Sequence, residues 1–374
     1  MKVREILFAN AENENREVWN ELCTKLQTEL WMLCLGAGIS ISAGLPDWHK
    51  LLAKIIGHIL SMEIPEEYRN EKLIFKKIGD ALAGGYKEIF SGMNVLEVAE
   101  YVRNYVYEDL DENSDRVNWF MNFFIQEACW TDVELNKENT EIINSTLGAV
   151  ARLMKSDRDA LIHNAITYNY DNLLETYLRN ICACRRNQVH SITKEDAIRD
   201  FEIKDWNIYH VHGRIPVIEH PDETMSKSVI LTESDYYKEE QVNYSWTNTI
   251  QSYAIVRANL IFIGFSGADY NFRRIIKYVG QDDIKPRERY IFFSVDDIVW
   301  AVFQKELEGK KDKKAYLDEC IRQMNEPGNE KYSFEKLYIN YMVRAQTQYW
   351  KNHGLKVIWS SHEELPDDLD RLHL

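Results

Sequence analysis

Apolar residues occur along the chain in two alternating patterns, short continuous runs and longer stretches with helical spacing. The run from Trp31 to Leu35 is entirely apolar, has the length of a buried strand, and stops at Gly36. Residues 14–30 before it repeat apolar side chains every three or four positions, and the same spacing resumes from Asp47 onward. The pattern predicts a helix, a buried strand, a glycine turn and a second helix.

Further strand-length runs occur later in the chain, with helical spacing between most of them. Alternating strands and helices indicate a mainly parallel sheet with helices on both faces. We therefore predict a doubly wound, Rossmann-like α/β fold that contains a helical insertion subdomain. The further predicted strands are Leu161 to Thr167, Trp206 to Val211, Ser228 to Leu231, Leu260 to Gly264, Tyr290 to Ser294 and Leu355 to Trp359.

The length of 374 residues and the 45% content of hydrophobic side chains allow one large domain with a full core. Within this single domain we expect the Rossmann-like core at residues 30–60 and 160–300. The amphipathic runs of residues 61–159, which carry almost no strand signal, predict the helical insertion. Residues 300–374 are predicted to form a mostly helical C-terminal segment with one strand near 355–359.

Charge and composition exclude several classes of protein. A formal net charge of -15 argues against a protein that grips nucleic acid directly, because phosphate binding needs a basic surface. The first residues lack the apolar region of a signal peptide, and no apolar run is long enough to cross a membrane. The six cysteines lie mostly alone in apolar segments, which is typical of reduced thiols. We therefore predict a cytoplasmic protein.

The glycine turn after the first strand is a candidate phosphate-binding site. Gly36 and Gly38 mark a strand-to-helix transition, where bare backbone N–H groups and the positive end of a helix can face a phosphate. The usual dinucleotide pattern needs a third glycine at the position of Ile41, whereas the next glycine here is Gly44. The glycines alone are equally explained by a tight turn. Neighbouring residues strengthen the ligand interpretation, namely the hydroxyls of Ser40 and Ser42 and the rigid segment Leu45-Pro46-Asp47-Trp48.

Polar residues follow three of the later predicted strands. Asn169 and Asp171 come just after the second strand, at the edge where open α/β sheets bind ligands, although Asp171 or Asn172 could simply cap the next helix. His210 and His212 share one face of the strand that ends at Gly213. A lone histidine at a strand end is usually structural, but here it joins a group of polar residues. A second turn of the first type follows at Gly264, Ser266 and Gly267, before a helix that starts near Asp269.

Four ordered motifs together resemble the sirtuin (silent information regulator) family. They are Gly36-Ala37-Gly38-Ile39-Ser40 with Gly44-Leu45-Pro46-Asp47-Trp48, then Thr167-Tyr168-Asn169-Tyr170-Asp171, then His212-Gly213, and finally Gly264-Phe265-Ser266. The resemblance implies that NAD is the substrate and that Asn169, Asp171 and His212 are catalytic, with His212 taking a proton. The NAD-binding residues that it implies are Gly36, Ala37, Gly38, Ser40, Pro46, Asp47, Trp48, Thr167, Gly264 and Ser266.

Two departures from the protein deacylases of that family change the expected activity. Residues 214–263 contain no cysteine, so the paired Cys-x-x-Cys motifs of a zinc ribbon are missing and we expect no zinc. Trp48-His49 stands where deacylases have Phe-Arg, and this form of the motif resembles bacterial sirtuin-like effectors of anti-phage defence. The resemblance implies a zinc-free NAD glycohydrolase that uses water as the acceptor and depletes NAD in abortive infection.

The same resemblance implies partners and leaves alternatives open. The chain resembles the stand-alone subunit that works with a HerA-type ATPase/DNA translocase, and a homo-oligomer is expected. The alternatives are a zinc-free deacylase or ADP-ribosyltransferase, and a non-catalytic sensor of NAD or ADP-ribose. The amphipathic run from Tyr332 to Trp350 is explained by core packing, or by an oligomer or partner interface if its aromatic residues are exposed.

Overall fold

The computed structural model describes most of the chain, and every structural statement below concerns the described residues. Much of the predicted helical insertion lies outside them, including the amphipathic runs from Leu73 to Leu82 and from Val117 to Cys129, of which only Gln126 is described. The described residues are 2–27, 30–62, 85, 92–106, 126, 144–155, 162–180, 188–196, 205–217, 223, 225–242, 245–279 and 287–372.

A parallel β-sheet forms the centre of the fold. Seven strands of the described residues pair side by side in the order β3-β4-β2-β1-β5-β6-β7, and every pair is parallel. The predicted doubly wound α/β fold is therefore confirmed. The strands are β1 (Trp31–Leu35), β2 (Ile162–Thr167), β3 (Val189–Ile192), β4 (Trp206–His210), β5 (Asn259–Ile263), β6 (Arg289–Ser294) and β7 (Lys356–Ser360).

The direction of winding reverses between β1 and β5. On one side of β1 the neighbouring strands are, in spatial order, β2, β4 and β3. The chain then crosses to the other side of β1, where it forms β5, β6 and β7. In open α/β sheets this reversal leaves a crevice at the carboxyl ends of the two central strands, where ligands bind. The turns after β1 and β5, which begin at Gly36 and Gly264, meet at that point.

Helices cover both faces of the sheet. Along β1, Met32 and Cys34 belong to one buried cluster, whereas Leu33 and Leu35 belong to another on the opposite face. The described helices are α1 (Val3–Ile6), α2 (Ala9–Leu26), α3 (Ala37–Ile41), α4 (Trp48–Met62), α5 (Val95–Val106), α6 (Thr146–Lys155), α7 (Leu173–Asn180), α8 (Glu233–Gln241), α9 (Trp246–Arg257), α10 (Tyr270–Val279), α11 (Val295–Val302), α12 (Lys313–Met324), α13 (Ser333–Asn352) and α14 (Leu365–Arg371).

The strand predictions were wrong at two places. The segment from Ser228 to Leu231 forms no strand; it is tied to the end of β4 by separate hydrogen bonds, such as that from Ile230 N–H to the His212 carbonyl (3.0 Å). In its place β3 pairs with β4 and forms the edge of the sheet. The sequence analysis missed β3 because it has only four residues, of which His190 and Ser191 are polar. A short edge strand of this kind carries little apolar pattern.

The division of the chain into a core, an insertion and a C-terminal segment stays a prediction. Of residues 61–159, α5 joins α4 in a small cluster near Tyr170, while α6 packs into the main core beneath β1 and β2. Near the C-terminus, β7 extends the central sheet. Within the described ranges, no helix combines the length and the apolar character needed to cross a bilayer.

Candidate functional site

The two glycine turns touch each other through their backbones. Gly36 N–H donates to the Ile263 carbonyl (3.1 Å), and Gly38 N–H donates to the Gly264 carbonyl (2.9 Å). A Cβ atom on Gly38 would lie 2.7 Å from Gly264 Cα, closer than real Cβ atoms come to other atoms. A Cβ atom on Gly36 would likewise lie 2.5 Å from the Gly264 carbonyl oxygen, so the close approach of the two turns needs glycine at both position 36 and position 38. Their two N–H groups are already used within the protein, and the Ile39 N–H donates to the Gly36 carbonyl (3.2 Å), so among the first N–H groups of α3 the described contacts leave that of Ala37 for a bound phosphate.

A pocket opens beside these turns at the carboxyl edge of the sheet. Its volume is about 450 Å³, including space open to solvent. Its wall is largely apolar and aromatic, and its polar side chains come from the segments after β1 and β2. The lining residues are Ala37, Ser40, Leu45, Pro46, Trp48, Leu51, Tyr168, Asn169, Tyr170 and Asp171.

Asn169, Ser40 and Asp171 form one hydrogen-bond network in this pocket. The Asn169 side-chain Nδ2 donates to the Gly36 carbonyl (3.0 Å) and to Ser40 Oγ (2.9 Å). Ser40 Oγ in turn donates to Asp171 Oδ2 (2.7 Å). All three side chains are buried. The network joins residues that lie about 130 positions apart in the sequence and links the two halves of the predicted site.

The donors and acceptors of this network determine which atom can meet a ligand. Asn169 has two amide protons, and both are used, so its carbonyl Oδ1 is the remaining hydrogen-bonding atom. Asp171 Oδ1 accepts from Leu173 N–H (3.2 Å) at the start of α7. Burial raises the pKa of Asp171, and the bonds from Ser40 and Leu173 oppose that rise. Asp171 thus accepts hydrogen bonds both from the start of α7 and from Ser40, and its catalytic role stays a prediction.

His212 lies close to this network but does not line the same pocket. Its ring packs edge-on against Tyr168, at a centroid distance of 5.2 Å, and Tyr168 does line the pocket. His212 lines a second cavity, of about 220 Å³, together with His210, Lys194 and Trp246. Among the described contacts, the ring of Tyr168 lies between the predicted base and the pocket that Asn169 lines.

A buried carboxylate faces His212. Asp269 Oδ2 lies 3.2 Å from His212 Nε2, within ion-pair distance although the pair does not meet hydrogen-bond geometry. Asp269 also accepts hydrogen bonds from Tyr236 Oη (2.7 Å) and Phe272 N–H (2.6 Å). Burial alone would raise the pKa of Asp269, but the contacts with His212, Phe272 and Tyr236 hold this pKa below its ordinary value.

Of the residues predicted to bind NAD, Ala37, Ser40, Pro46 and Trp48 line the pocket. Asp47 lies outside its wall, and its Oδ1 accepts from Lys50 N–H (2.8 Å) at the start of α4. In this structure Asp47 therefore holds a helix terminus.

The remaining predicted residues lie beneath the pocket or at its edge. Thr167 is buried, and its Oγ1 accepts from the Asn169 backbone N–H (3.1 Å), which fixes the turn that carries Asn169. Gly36, Gly38 and Gly264 form the paired turns described above. Ser266 is exposed, and its Oγ accepts from Ala268 N–H (3.2 Å).

Sequence reasoning missed the aromatic wall of the site. Tyr168 and Tyr170 alternate with Asn169 and Asp171 in the motif, so their proximity to the site was visible, but their role in the wall was not recognised. Tyr170 Oη donates to the Ile230 carbonyl (2.7 Å), and the Tyr170 ring meets Trp48 edge-on at 6.1 Å. No sequence pattern connected Tyr236 with His212.

No set of three or more His, Cys, Asp or Glu side chains within the described part of the chain is arranged to hold a metal ion. Cys23, Cys34 and Cys320 are free thiols. Cys129, Cys182 and Cys184 lie outside the described residues. The absence of zinc therefore stays a prediction.

A protein-family model matches part of the chain. The family model of the SIR2-like domain matches residues 163–319. The matched segment contains Asn169, Asp171, His212 and Gly264, whereas the turn at Gly36 precedes it. A search of curated proteins found no similar sequence. The match supports a relationship to the sirtuin-like family, which uses NAD as a substrate, and hence an NAD-related activity in general.

Proposed function

We propose that the protein is an NAD glycohydrolase, which cleaves NAD with water to give nicotinamide, ADP-ribose and a proton. The observation that carries this proposal is the position of Asn169 in the pocket. Its amide protons are used by Gly36 and Ser40, which leaves Oδ1 as an acceptor beside the buried carboxyl of Asp171. The SIR2-like match over residues 163–319 supports NAD as the ligand.

The chemistry needs positioning and a charge partner more than a strong nucleophile. The bond from the ribose C1′ to the nicotinamide nitrogen breaks, its electron pair goes to nicotinamide, and positive charge develops on the ribose. Asn169 Oδ1 can accept from a ribose hydroxyl or from the attacking water. The ionised Asp171 carboxylate provides negative charge close to the developing cation.

The aromatic wall gives a place for the base to stack. Trp48, Tyr168 and Tyr170 present apolar ring surface to the pocket, which suits a flat nicotinamide ring. The two hydrophobic residues Leu45 and Leu51 complete that wall. We infer that water enters as the acceptor, since the motif around Trp48 resembles the hydrolysing effectors more than the deacylases.

We keep His212 as the proposed proton acceptor. Because it lines the second cavity behind Tyr168, the variant His212→Ala separates two routes for the proton. Lost turnover with retained NAD binding would support His212. Unchanged turnover would assign the proton to Asp171 or to solvent.

The biological part of the proposal is an NAD-depleting effector of anti-phage defence in the cytoplasm. Its support is the resemblance of the Gly44-Leu45-Pro46-Asp47-Trp48 motif to those effectors. A homo-oligomer and a HerA-type ATPase/DNA translocase partner follow from the same resemblance. Both partners are proposals that infection assays and co-purification would test.

The first experiment follows nicotinamide and ADP-ribose by chromatography after the purified protein is incubated with NAD, alone and with any co-purifying partner. We expect Asn169→Ala to abolish product formation while the protein stays folded. Asn352→Ala is the matched control, because Asn352 lies exposed at the end of α13. Equal turnover in wild type and Asn169→Ala would contradict the proposal.

The same reaction separates the alternative functions. Addition of an acylated lysine peptide would give a deacylated peptide if the protein is a deacylase, and a protein-bound ADP-ribose mass would indicate a transferase. NAD or ADP-ribose binding with no cleavage under either condition would support the sensor. Free ADP-ribose formed in proportion to nicotinamide would support hydrolysis.

A further inference from the structure

A second buried histidine lies directly behind Asn169 and has no part in the proposed reaction. His210, at the end of β4, is 1% exposed. Its Nε2 lies 2.6 Å from Glu175 Oε1 on α7, and its Nδ1 lies 3.3 Å from the main-chain carbonyl oxygen of Asn169. The ring therefore bridges helix α7 and the turn that carries Asn169.

Both ring nitrogens of His210 face atoms that only accept hydrogen bonds. A carbonyl oxygen and a carboxylate oxygen offer no proton, and a neutral imidazole can donate from only one of its nitrogens. The doubly protonated ring satisfies both contacts at once. Since the ring is fully enclosed, the contact left without a proton would place two lone pairs against each other.

The partner carboxylate is arranged as an anion. Glu175 Oε1 also accepts from Ser191 Oγ (2.7 Å) on β3, while Oε2 has no hydrogen-bond partner among the described residues. Burial would raise the pKa of Glu175, but the His210 charge and the bonds from His210 and Ser191 hold it below its ordinary value. A buried carboxylate of this kind needs a nearby cation.

We propose that His210 is an imidazolium paired with Glu175 and serves as a positioning residue for Asn169, which it holds through the Asn169 main-chain carbonyl. This inference rests on the proposed function, because it assigns His210 a role in the same site. The bond from His210 fixes the backbone of the turn, and the turn in turn places the Asn169 amide against Gly36 and Ser40. The cation also acts on the neighbouring Asp171, whose pKa it lowers against the larger, opposing effect of burial.

Several other charged groups surround the His210–Glu175 pair. Ser191, which joins the pair, also offers its main-chain carbonyl to Arg214 (2.8 Å). The titratable and charged groups that face His210 from the surrounding elements are Asp171 after β2, Glu175 on α7, Lys194 after β3, His212 after β4 and Glu239 on α8.

The protonation state is tested directly by NMR of protein labelled with ¹⁵N-histidine at neutral pH. We expect the side chain of His210 to show the doubly protonated pattern, identified as the signal that disappears in His210→Gln. A neutral tautomer for His210 would overturn the proposal whether or not the enzyme cleaves NAD.

The positioning role is tested by two neutral variants. The amide of His210→Gln can still reach Glu175, and that of His210→Asn can still donate to the Asn169 carbonyl. We expect His210→Gln, which loses the bond to the Asn169 carbonyl, to lower kcat for NAD cleavage on the order of 10- to 100-fold with little change in KM, because misplacement of a reacting group affects the transition state most. His210→Asn, which keeps that bond, should retain more of the wild-type kcat than His210→Gln. Wild-type kcat in His210→Gln, or equal kcat in the two variants, would overturn the proposal.

A matched control distinguishes a loss of kcat caused by misplacement of Asn169 from one caused by the loss of any histidine–carboxylate pair. His190 Nε2 makes a similar contact with Asp205 Oδ2 (2.8 Å) at the edge strand β3, so His190→Gln removes a histidine–carboxylate pair and is expected to keep wild-type kcat. If the wild type cleaves no NAD, the proposed function fails and NAD affinity decides the positioning role. Weaker NAD binding by His210→Gln than by His190→Gln then supports the positioning role of His210, and equal NAD binding by the two variants overturns that role.

Discussion

Ser40 Oγ donates a 2.7 Å hydrogen bond to Asp171 Oδ2, which connects the segment that follows β1 with the segment that follows β2. The same oxygen accepts from the Asn169 amide, so Ser40 is the only polar link that the described contacts show between Asn169 and Asp171 side chains. The serine hydroxyl thereby determines how the amide and the carboxylate are oriented.

We predict that Ser40→Ala lowers kcat about 10- to 100-fold, because Asn169 loses one of the two contacts that orient it. The free energy of unfolding should fall by about 1–3 kcal/mol, since a buried carboxylate oxygen and an amide proton lose their partner. Steady-state kinetics and urea unfolding measure the two effects.

Ser42→Ala is the control for this prediction. Ser42 lies two residues further on, and its Oγ donates to the Ile39 carbonyl and not to the pocket network. Equal loss of kcat in Ser40→Ala and Ser42→Ala would contradict the assigned role of Ser40.

Gly38→Ala should destabilise the protein, although alanine ordinarily stabilises a helix relative to glycine by about 0.5–1 kcal/mol. Gly38 lies inside α3, but the added Cβ would meet the Gly264 backbone at 2.7 Å. We expect a loss of about 1–3 kcal/mol, typical of overpacking, and a weakened affinity for NAD.

Gly328→Ala separates steric contact from backbone strain. Gly328 has φ +81, and a Cβ added there would meet no atom within 4 Å, so the cost of the substitution comes from φ alone and NAD affinity should not change. A Gly38→Ala variant that is more stable than wild type would contradict the close contact of the two turns.

The stability contributed by Asp269 should depend on pH. Its pKa in the folded protein lies below the ordinary 3.8, so the fold favours the anion. The contribution is present above about pH 3.8 and is lost as pH falls through the lower folded-state pKa. Asp269→Asn should therefore lower Tm at neutral pH, and the difference from wild type should shrink in acid.

The pKa of Asp296 is shifted in the opposite direction to that of Asp269, so its effect on stability should depend on pH in the opposite way. Burial raises its pKa, so its ionised form destabilises the fold above that pKa and the cost is relieved as pH falls through it. Asp296→Asn should raise Tm at neutral pH, with the gain disappearing in acid. If the Tm difference from wild type had the same pH dependence in Asp269→Asn and Asp296→Asn, the local environments of the two carboxyl groups would not control it.

Helix α13 tests the predicted homo-oligomer. Its outer face carries a stripe of exposed side chains, defined by Phe334 (73% exposed), Leu337 (56%) and Tyr341 (64%), with Tyr338 and Tyr349 beside them. Together these five side chains expose roughly 500 Å², near the upper end of the largest apolar patch on a typical monomer. We expect a second copy of the chain to cover this stripe.

The variant Leu337→Glu/Tyr341→Glu should shift the oligomer to monomers in light scattering after gel filtration. Wild-type association should persist at high salt, because an apolar contact in a chain of net charge -15 is opposed by charge repulsion that salt screens. Glu319→Ala on α12 is the surface control. If Leu337→Glu/Tyr341→Glu had the same mass in solution as the wild-type oligomer, the oligomer interface would lie outside the stripe on α13.

The sequence predicted the elements around the site better than the contacts within it. The apolar run at β1, the turns at Gly36 and Gly264, and the placement of Asn169 after β2 all follow from local patterns, and the structure has each of them. The edge strand β3 and the irregular segment from Ser228 to Leu231 did not follow, because pairing at a sheet edge depends on which distant segment arrives there. The contact by which Asp47 caps α4 did not follow from the sequence either, and its part in NAD binding stays a prediction.

By itself the sequence determined the class of fold and the edge of the sheet where polar residues gather, because hydrophobic periodicity and glycine act over a few neighbouring residues. Only the tertiary structure decided that Ser40 bridges Asn169 and Asp171, that Tyr168 separates His212 from their pocket, and that His210 lies behind Asn169. Those relationships depend on the order of the strands and on ångström-scale packing of side chains far apart in sequence. Periodicity reports which side of an element is buried, but it does not report what that side meets.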